Sequence, residues 1–235
     1  MKSLLSSSYI LMFDTYYSFQ PRLKSSCKII DISSISSTRY MCSEDTMKVV
    51  FEKIKNIKNS LCFLGSGDFH HFTLLLLKNI PQKISLIVFD KHVDYSNFFK
   101  GFVSCGSWLK DACNLGNVEE VFVISEEKKA IENQKLKIFS PSEYRKIQPH
   151  FDVYISIDKD ILNCSTLKTT WDQGSCDAAT LFEILSYFIS KYNIAGADVC
   201  GEPPVTFFSP EHKKSENINL RLLSLFTAGS QLLAG

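Results

Sequence analysis

The sequence lacks an excess of charge of either sign. Its 235 residues carry 26 Lys and Arg against 25 Asp and Glu, which gives a formal net charge of +1. A protein that binds the phosphate backbone of nucleic acids through a concentrated basic surface carries a much larger positive excess. The composition therefore argues against nucleic acid as a partner.

Long hydrophobic runs are also absent. The longest uninterrupted apolar stretches, Tyr9 to Phe13 and Leu74 to Leu77, are far shorter than the roughly 20 residues that a membrane-spanning helix requires. Near the N-terminus, Ser3 and the run Ser6 to Ser8 interrupt the stretch in which a signal peptide needs an apolar core. We therefore expect a cytoplasmic protein with no membrane partner.

Paired cysteines and interdomain linkers are missing as well. The eight cysteines contain no Cys-x-x-Cys pair and are scattered through apolar segments. This pattern is typical of reduced, buried thiols rather than of a disulfide framework or a zinc knuckle. Because no repeat, low-complexity tract or Pro/Gly-rich linker divides the chain, we predict one domain over residues 1–235.

What is present is an alternation of strand-like and helix-like segments. Helices are predicted from the cap Ser43 to about Lys58, from Asp177 to about Lys191, and over Glu216 to Leu233. Strands alternating with helices predict an α/β fold, in which a mostly parallel sheet is covered by helices on both faces. The eight predicted strands are Tyr9 to Thr15, Lys28 to Ile32, Ser60 to Leu64, Ile84 to Asp90, Glu120 to Ser125, Lys135 to Phe139, Asp152 to Asp158 and Ile194 to Val199.

Ligand-type side chains follow the predicted strand that ends at Asp90. In extended backbone, residues i, i+2 and i+4 face the same side, so Asp90, His92 and Asp94 can converge while Lys91 and Val93 point away. In folds of this kind, ligands bind beyond the carboxyl ends of the strands. We therefore predict a metal site here, the alternative being that Asp90 caps a helix and Asp94 is a solvated loop acid.

A second strand ends in the same way, in Asp158-Lys159-Asp160. The two carboxylates fall on one face, whereas the Lys159 side chain points to the opposite face. Two carboxylates at the end of a buried strand repel each other strongly unless a cation lies between them. A bound cation is therefore predicted here too, the alternative being an Asp-capped turn with one exposed acid.

A histidine pair follows a third strand, after Gly65-Ser66-Gly67-Asp68-Phe69. Either His70 or His71 can supply a nitrogen ligand for a second ion. The four carboxylates of Asp90, Asp94, Asp158 and Asp160 would balance two divalent ions in charge. Mixed carboxylate and imidazole ligands suit Mn²⁺ better than structural zinc, with Zn²⁺ as the alternative.

These residues resemble the motifs of the arginase-like ureohydrolase superfamily, which includes arginase, agmatinase and formiminoglutamase. The segments that carry the resemblance are Gly67 to His70, Asp90 to Asp94, Ser156 to Asp160 and Gly196 to Pro204, in the family's order. The resemblance implies a three-layer α/β/α domain with a binuclear Mn²⁺ centre. It also implies hydrolysis of a carbon–nitrogen bond in a small guanidino, amidino or formimino compound by a hydroxide that bridges the metals.

The resemblance further implies roles for individual residues. Asp160 is expected to shuttle a proton to the leaving amine as well as to bind metal, and Glu202 to face the cationic end of the substrate. Trp171 and Asp172 stand where the family has a substrate loop, so they are expected to stack on and pair with a planar cation. The alternative is that Trp171 lies at the rim, above a turn closed by Gly174.

The sequence also departs from the family pattern. The segment Tyr95 to Cys113 has no histidine where arginases carry a proton-relay histidine, and Asn163 and Cys164 replace the final Asp-Pro of the third motif. Two other functions therefore stay open: a zinc amide hydrolase of the deacetylase type, and a metal-binding or metabolite-sensing protein without catalysis. Family members often form trimers or hexamers, so a homo-oligomer is possible here.

Overall fold

A computed structural model describes residues 5–206 and 209–227. Its centre is an eight-stranded sheet with the strand order β2-β1-β4-β10-β9-β5-β7-β8, and every pairing in it is parallel. The strands are β1 Ser7–Met12, β2 Lys28–Asp31, β4 Ser60–Phe63, β5 Ile84–Phe89, β7 Val118–Ile124, β8 Leu136–Phe139, β9 Asp152–Asp158 and β10 Ile194–Cys200. These are the eight strands predicted from the sequence, with shifts of a few residues at their ends.

Helices cover both faces of the sheet, because the central strands are apolar on both sides. The helices are α1 Pro21–Ser26, α2 Glu44–Ile54, α3 Thr73–Lys78, α4 Trp108–Cys113, α5 Ala178–Lys191 and α6 Pro210–Phe226. One buried cluster joins α2, α3 and α4 to one face, and a second joins α1, α5 and α6 to the other. The predicted three-layer α/β/α architecture is confirmed.

The ends of the helices follow local capping signals. The Ser43 side chain accepts a hydrogen bond from the Thr46 amide, and Asp177 accepts one from the Thr180 amide, so both predicted caps are confirmed. Helix α2 ends at Ile54, four residues before the predicted end. Helix α6 begins at Pro210 rather than Glu216, and the predicted helical residues 228–233 lie outside the described part of the chain.

The chain also forms a two-stranded antiparallel sheet that was not predicted from the sequence, made of β3 Met41–Ser43 and β6 Phe102–Ser104. It connects the segment before α2 to the segment after β5, beside the carboxyl edge of the main sheet. Within the described ranges, no helix is both long and apolar enough to cross a membrane. All eight cysteines are free thiols, as predicted, and five of them are buried.

Candidate metal centre

The residues after β5 and β9 meet because these two strands are neighbours in the sheet. The Asp160 carboxylate accepts a hydrogen bond from the Lys91 amide at 3.0 Å, and its other oxygen lies 2.9 Å from Nδ1 of His92. Asp90 accepts a bond from the His92 amide at 2.7 Å. The two strand ends thus bring the predicted acids into one cluster and fix the backbone that carries them.

His70 completes this cluster from the 3-10 turn Gly67–Phe72, which follows β4. Its Nδ1 lies 3.2 Å from an Asp90 oxygen, 3.4 Å from an Asp94 oxygen and 3.7 Å from an Asp158 oxygen. His71 is also buried, but it belongs to none of the groups of ligand-type side chains found in the described ranges. Of the two histidines, the structure therefore brings His70 to the acids.

The described ranges contain three groups of ligand-type atoms, and two of these triads share Asp90. One contains His70, Asp90 and Asp94, the other contains Asp90, His92 and Asp160, and the atoms within each triad lie within 4.8 Å of one another. Asp158 stands beside both, because it faces His70 and its Oδ1 accepts the Asp160 amide at 3.0 Å. This arrangement is suited to two neighbouring cations joined by shared carboxylates.

The electrostatics of the cluster fit divalent cations. Burial, reinforced by the neighbouring acids, raises the pKa of Asp158 to about 6 and that of Asp160 to about 7. Hydrogen bonds to Asp160 and Asp90 raise the pKa of His92 to about 12. Without a cation, the four buried acids must either take up protons and become neutral or be balanced by protonated histidines, so the donor set matches positive ions.

Buried hydrogen bonds orient the His70 ring on the side opposite to the acids. Its Nε2 lies 2.9 Å from the Ser156 hydroxyl, which donates to Asp198 at 2.8 Å. Asp198 also accepts bonds from Thr73 and Tyr154. Such outer partners fix the ring orientation and tautomer of a ligating histidine. These supporting hydrogen bonds were not predicted from the sequence, although Ser156 and Asp198 lie in matched register on adjacent strands.

The missing relay histidine is replaced by residues that support the cluster. The Trp108 indole donates to Asp94 at 3.0 Å, and its ring lies 4.7 Å from the His70 ring. Cys105 lines the cleft over the cluster. Burial raises the pKa of the Cys105 thiol to about 12. This thiol is therefore not a substitute for a histidine that exchanges protons near neutral pH.

The cluster opens into a small cleft of about 240 Å³. Trp171 forms one wall: its indole nitrogen donates to Asp68 at 3.0 Å, and its ring lies 6.2 Å from the His92 ring. A Cβ on Gly67 would lie 2.7 Å from an Asp158 oxygen and 3.0 Å from Trp171. Glycine is therefore required where the wall approaches the acids.

A larger groove of about 810 Å³ lies between α2, α3 and α4. This groove contains none of the candidate metal ligands, so cavity volume alone does not identify the functional site. We place the functional site in the smaller cleft because the buried acids and histidines converge there.

Asp172 has a different partner from the expected substrate cation. Its carboxylate lies 2.7 Å from Nε2 of His92, the ring nitrogen that does not face Asp160. The side chain is otherwise exposed to solvent. In this position Asp172 orients His92, as carboxylates commonly do for metal-binding histidines.

Glu202 does not face the cleft, so its expected placement is wrong. Its side chain is buried and forms an ion pair with Lys159, while Asn219, Ser215 and Gln20 also donate to its carboxylate. The preceding residue, Gly201, has φ +81° and turns the chain away from the cluster. The Lys159 side chain does point away from the acids, as predicted, but it points into the core rather than into solvent.

Comparisons with known proteins agree with this architecture. No family model matches the sequence. An uncharacterized protein of Thermotoga maritima is 34% identical to this chain over an alignment of 242 residues. The alignment covers 97% of this chain and 95% of that protein. This chain belongs to the same family as the Thermotoga maritima protein.

Solved structures similar to this chain include formimidoylglutamases and arginases. A formimidoylglutamase of Bacillus subtilis covers 93% of this chain and 86% of its own, with 13% identity and a TM-score of 0.68. The match to an arginase of the same organism covers 97% of this chain and 100% of the arginase chain, with 14% identity and a TM-score of 0.66. A Trypanosoma cruzi formiminoglutamase variant, solved with Mn²⁺, has a TM-score of 0.63 at 11% identity and covers 93% of this chain and 91% of its own. The fold is the arginase-like ureohydrolase fold.

Proposed function

We propose that this arginase-like protein is a metal-dependent hydrolase that cleaves a carbon–nitrogen bond in a small guanidino, amidino or formimino compound. The observation that carries the proposal is the pair of ligand triads that share Asp90 at the base of one cleft. The names of the similar structures, a formimidoylglutamase and an arginase among them, support the same reaction class.

We assign two divalent ions to the cluster, Mn²⁺ being the first choice for its oxygen-rich donors. His70, Asp90, Asp94 and Asp158 would hold one ion, and His92, Asp90, Asp158 and Asp160 the other. When bound, such ions supply an activated water and stabilise negative charge on the reacting carbon's substituents. The charge of the four carboxylates balances that of the two ions.

The residues of the chain then position the substrate and move the proton. Asp160 lines the cleft, and we assign it the transfer of a proton to the leaving amine. Trp171 offers a flat face beside His92 on which a planar substrate group can stack. The cleft volume of about 240 Å³ lies below the roughly 300–1,000 Å³ of pockets for drug-sized ligands, which favours a small substrate.

A screen for turnover tests this proposal. The Mn²⁺-loaded protein is incubated with small guanidines, amidines and formimino acids, and the release of ammonia or urea is measured. We expect Asp160→Asn to lower kcat by about 10²-fold or more, the usual contribution of a positioned proton donor. Asp152→Asn is the matched control, because it makes the same change at the first residue of β9, the end of the strand that is remote from Asp160.

One observation favours a second function. Glu202, the acid expected to receive a cationic substrate, is withdrawn into the core, which suits a protein that binds metal without catalysis. Inactivity toward the whole screen, with both metal positions filled, would contradict the hydrolase and support the binding protein. One Zn²⁺ per chain, with hydrolysis of an acetylated amine, would instead support the deacetylase-type alternative.

A further inference from the structure

One buried thiol lies against the candidate metal centre, and the proposed ligand set does not use it. Cys200 is the last residue of β10, and its side chain is completely buried. Its Sγ lies 3.2 Å from the Oδ2 atom of Asp158. Sγ, a ring nitrogen of His70 and a carboxylate oxygen of Asp158 all lie within 4.8 Å of one another. Cys200 and Asp158 end the neighbouring strands β10 and β9, and His70 lies in the 3-10 turn that follows β4, so the three donor atoms converge.

The position of Cys200 distinguishes it from the other thiols in the described residues. Cys62 is buried on β4, the strand next to β10, yet it joins no group of ligand-type atoms. Cys105 lines the cleft and also joins no such group. The contact of Cys200 with His70 and Asp158 is therefore specific to one position and not a general consequence of buried cysteine.

Backbone geometry holds Cys200 against the cluster. Cys200 pairs with Asp158 in the parallel register of β10 and β9. The next residue, Gly201, approaches so closely that a Cβ would lie 2.4 Å from the Asp158 Oδ1 atom. Its φ of +81° also disfavours other residues. The pairing of Cys200 with Asp158 and the glycine that follows Cys200 thus fix the distance between the sulfur and the carboxylate.

We propose that Cys200 is a sulfur donor to the ion held by His70 and Asp158. Thiolate donors favour Zn²⁺ and Co²⁺ relative to Mn²⁺, whereas carboxylate oxygens suit Mn²⁺. The His70 position therefore prefers Zn²⁺ or Co²⁺, and the His92 position, whose group of ligand-type atoms in the described structure includes no sulfur, does not. If the sulfur bound the ion, the thiol would give up its proton, which is released on metal binding. This inference rests on the metal centre of the proposed function.

Cobalt substitution tests the inference by a readout other than activity. The protein is loaded with Co²⁺, and its absorption spectrum is recorded. We expect a thiolate-to-cobalt charge-transfer band in the near ultraviolet, which Cys200→Ser abolishes and the matched variants Cys105→Ser and Cys62→Ser retain. Cys200→Ser should also weaken Zn²⁺ binding by at least about tenfold relative to Mn²⁺, the lower end of the effect of changing a metal-site residue.

The outcomes separate this inference from the proposed function. Cobalt d–d bands without a charge-transfer band would overturn the sulfur donor and leave the oxygen and nitrogen centre intact. A band that survives in Cys200→Ser would also overturn it. A protein that binds neither Co²⁺ nor Mn²⁺ would contradict the proposed function itself, and the sulfur donor with it. If Cys200→Ser does not fold, X-ray absorption of the Zn²⁺-loaded wild-type protein decides, because a sulfur ligand scatters at about 2.3 Å from zinc.

Discussion

The buried ion pair behind the metal centre predicts a large and asymmetric mutational effect. Lys159 stands between Asp158 and Asp160, and its Nζ lies 2.5 Å from Glu202, 2.7 Å from Ser215 and 3.1 Å from Asn219. The side chains of all of these partners are buried. We consider three variants: Lys159→Met, Glu202→Gln, and the two changes combined.

The magnitude follows from the burial of both charges. Removing one partner leaves the other charge buried without compensation, which costs about 3–5 kcal/mol. For a chain of this size, 1 kcal/mol lowers Tm by about 2–4 °C, so each single variant should lose roughly 6–20 °C. The double variant removes both charges and keeps an amide for the remaining polar partners. It should therefore recover most of that loss, because neutral replacements of a buried pair are often tolerated.

Reversible urea unfolding of the wild-type protein and the three variants measures the coupling energy between the two side chains directly. We expect a coupling energy of at least about 2 kcal/mol between residues 159 and 202, since buried charge pairs are strongly interdependent. Lys48→Met is the control, because its partner Asp45 is exposed on the helix surface, and it should leave the unfolding midpoint unchanged. Additive losses in the double variant would refute the reasoning, because they would mean that the two side chains stabilise the fold independently.

Two further predictions concern the cluster itself. Gly201→Ala should weaken metal binding by at least about tenfold in calorimetric titration, because its Cβ would displace the Asp158 carboxylate. Gly116→Ala, which has open space around it, should leave the affinity unchanged, and equal affinities in both variants would refute the claim. His70→Asn should abolish high-affinity Mn²⁺ binding at one of the two positions, whereas His71→Asn should lower stability but leave the metal affinity of the folded protein nearly unchanged. The reverse result would show that the wrong histidine has been assigned.

The regular part of the fold could be predicted because its signals are local. Runs such as Ile84–Phe89 are apolar on both faces and rich in β-branched residues, which identifies a buried parallel strand. Helix α6 begins earlier than predicted because the cap Ser209 and the first-turn Pro210 start the helix ahead of the apolar periodic residues. The three-residue strands β3 and β6 show no alternation that a sequence pattern can reveal.

The candidate ligands could be predicted for the same reason. Asp90, His92 and Asp94 are spaced so that one strand end presents them together, and the order of the strands does not affect that alternation. The choice between His70 and His71 depended on the geometry of a 3-10 turn. The sequence pattern does not determine that geometry, so the choice had to come from the structure.

The partners of Lys159 and Glu202 could not be predicted because they are distant in the sequence. Gln20 and Asn219 lie 182 and 17 residues from Glu202. Alternation correctly placed Lys159 on the face opposite to the acids, but it could not show that α6 buries this face. The turn at Gly201 then directs Glu202 toward the same lysine and away from the cleft.

The most direct test of the account is the metal content of the chain. The protein is purified from Mn²⁺-supplemented cells, without chelator or affinity-tag histidines, and analysed by inductively coupled plasma mass spectrometry. We predict two divalent ions per folded chain, a marked loss in Asp158→Asn, and full content in Asp152→Asn, whose carboxylate lies roughly 20 Å away along the same strand. A wild-type chain without divalent metal, or an Asp158→Asn chain with the full wild-type content, would contradict the assignment of this cluster as a metal centre.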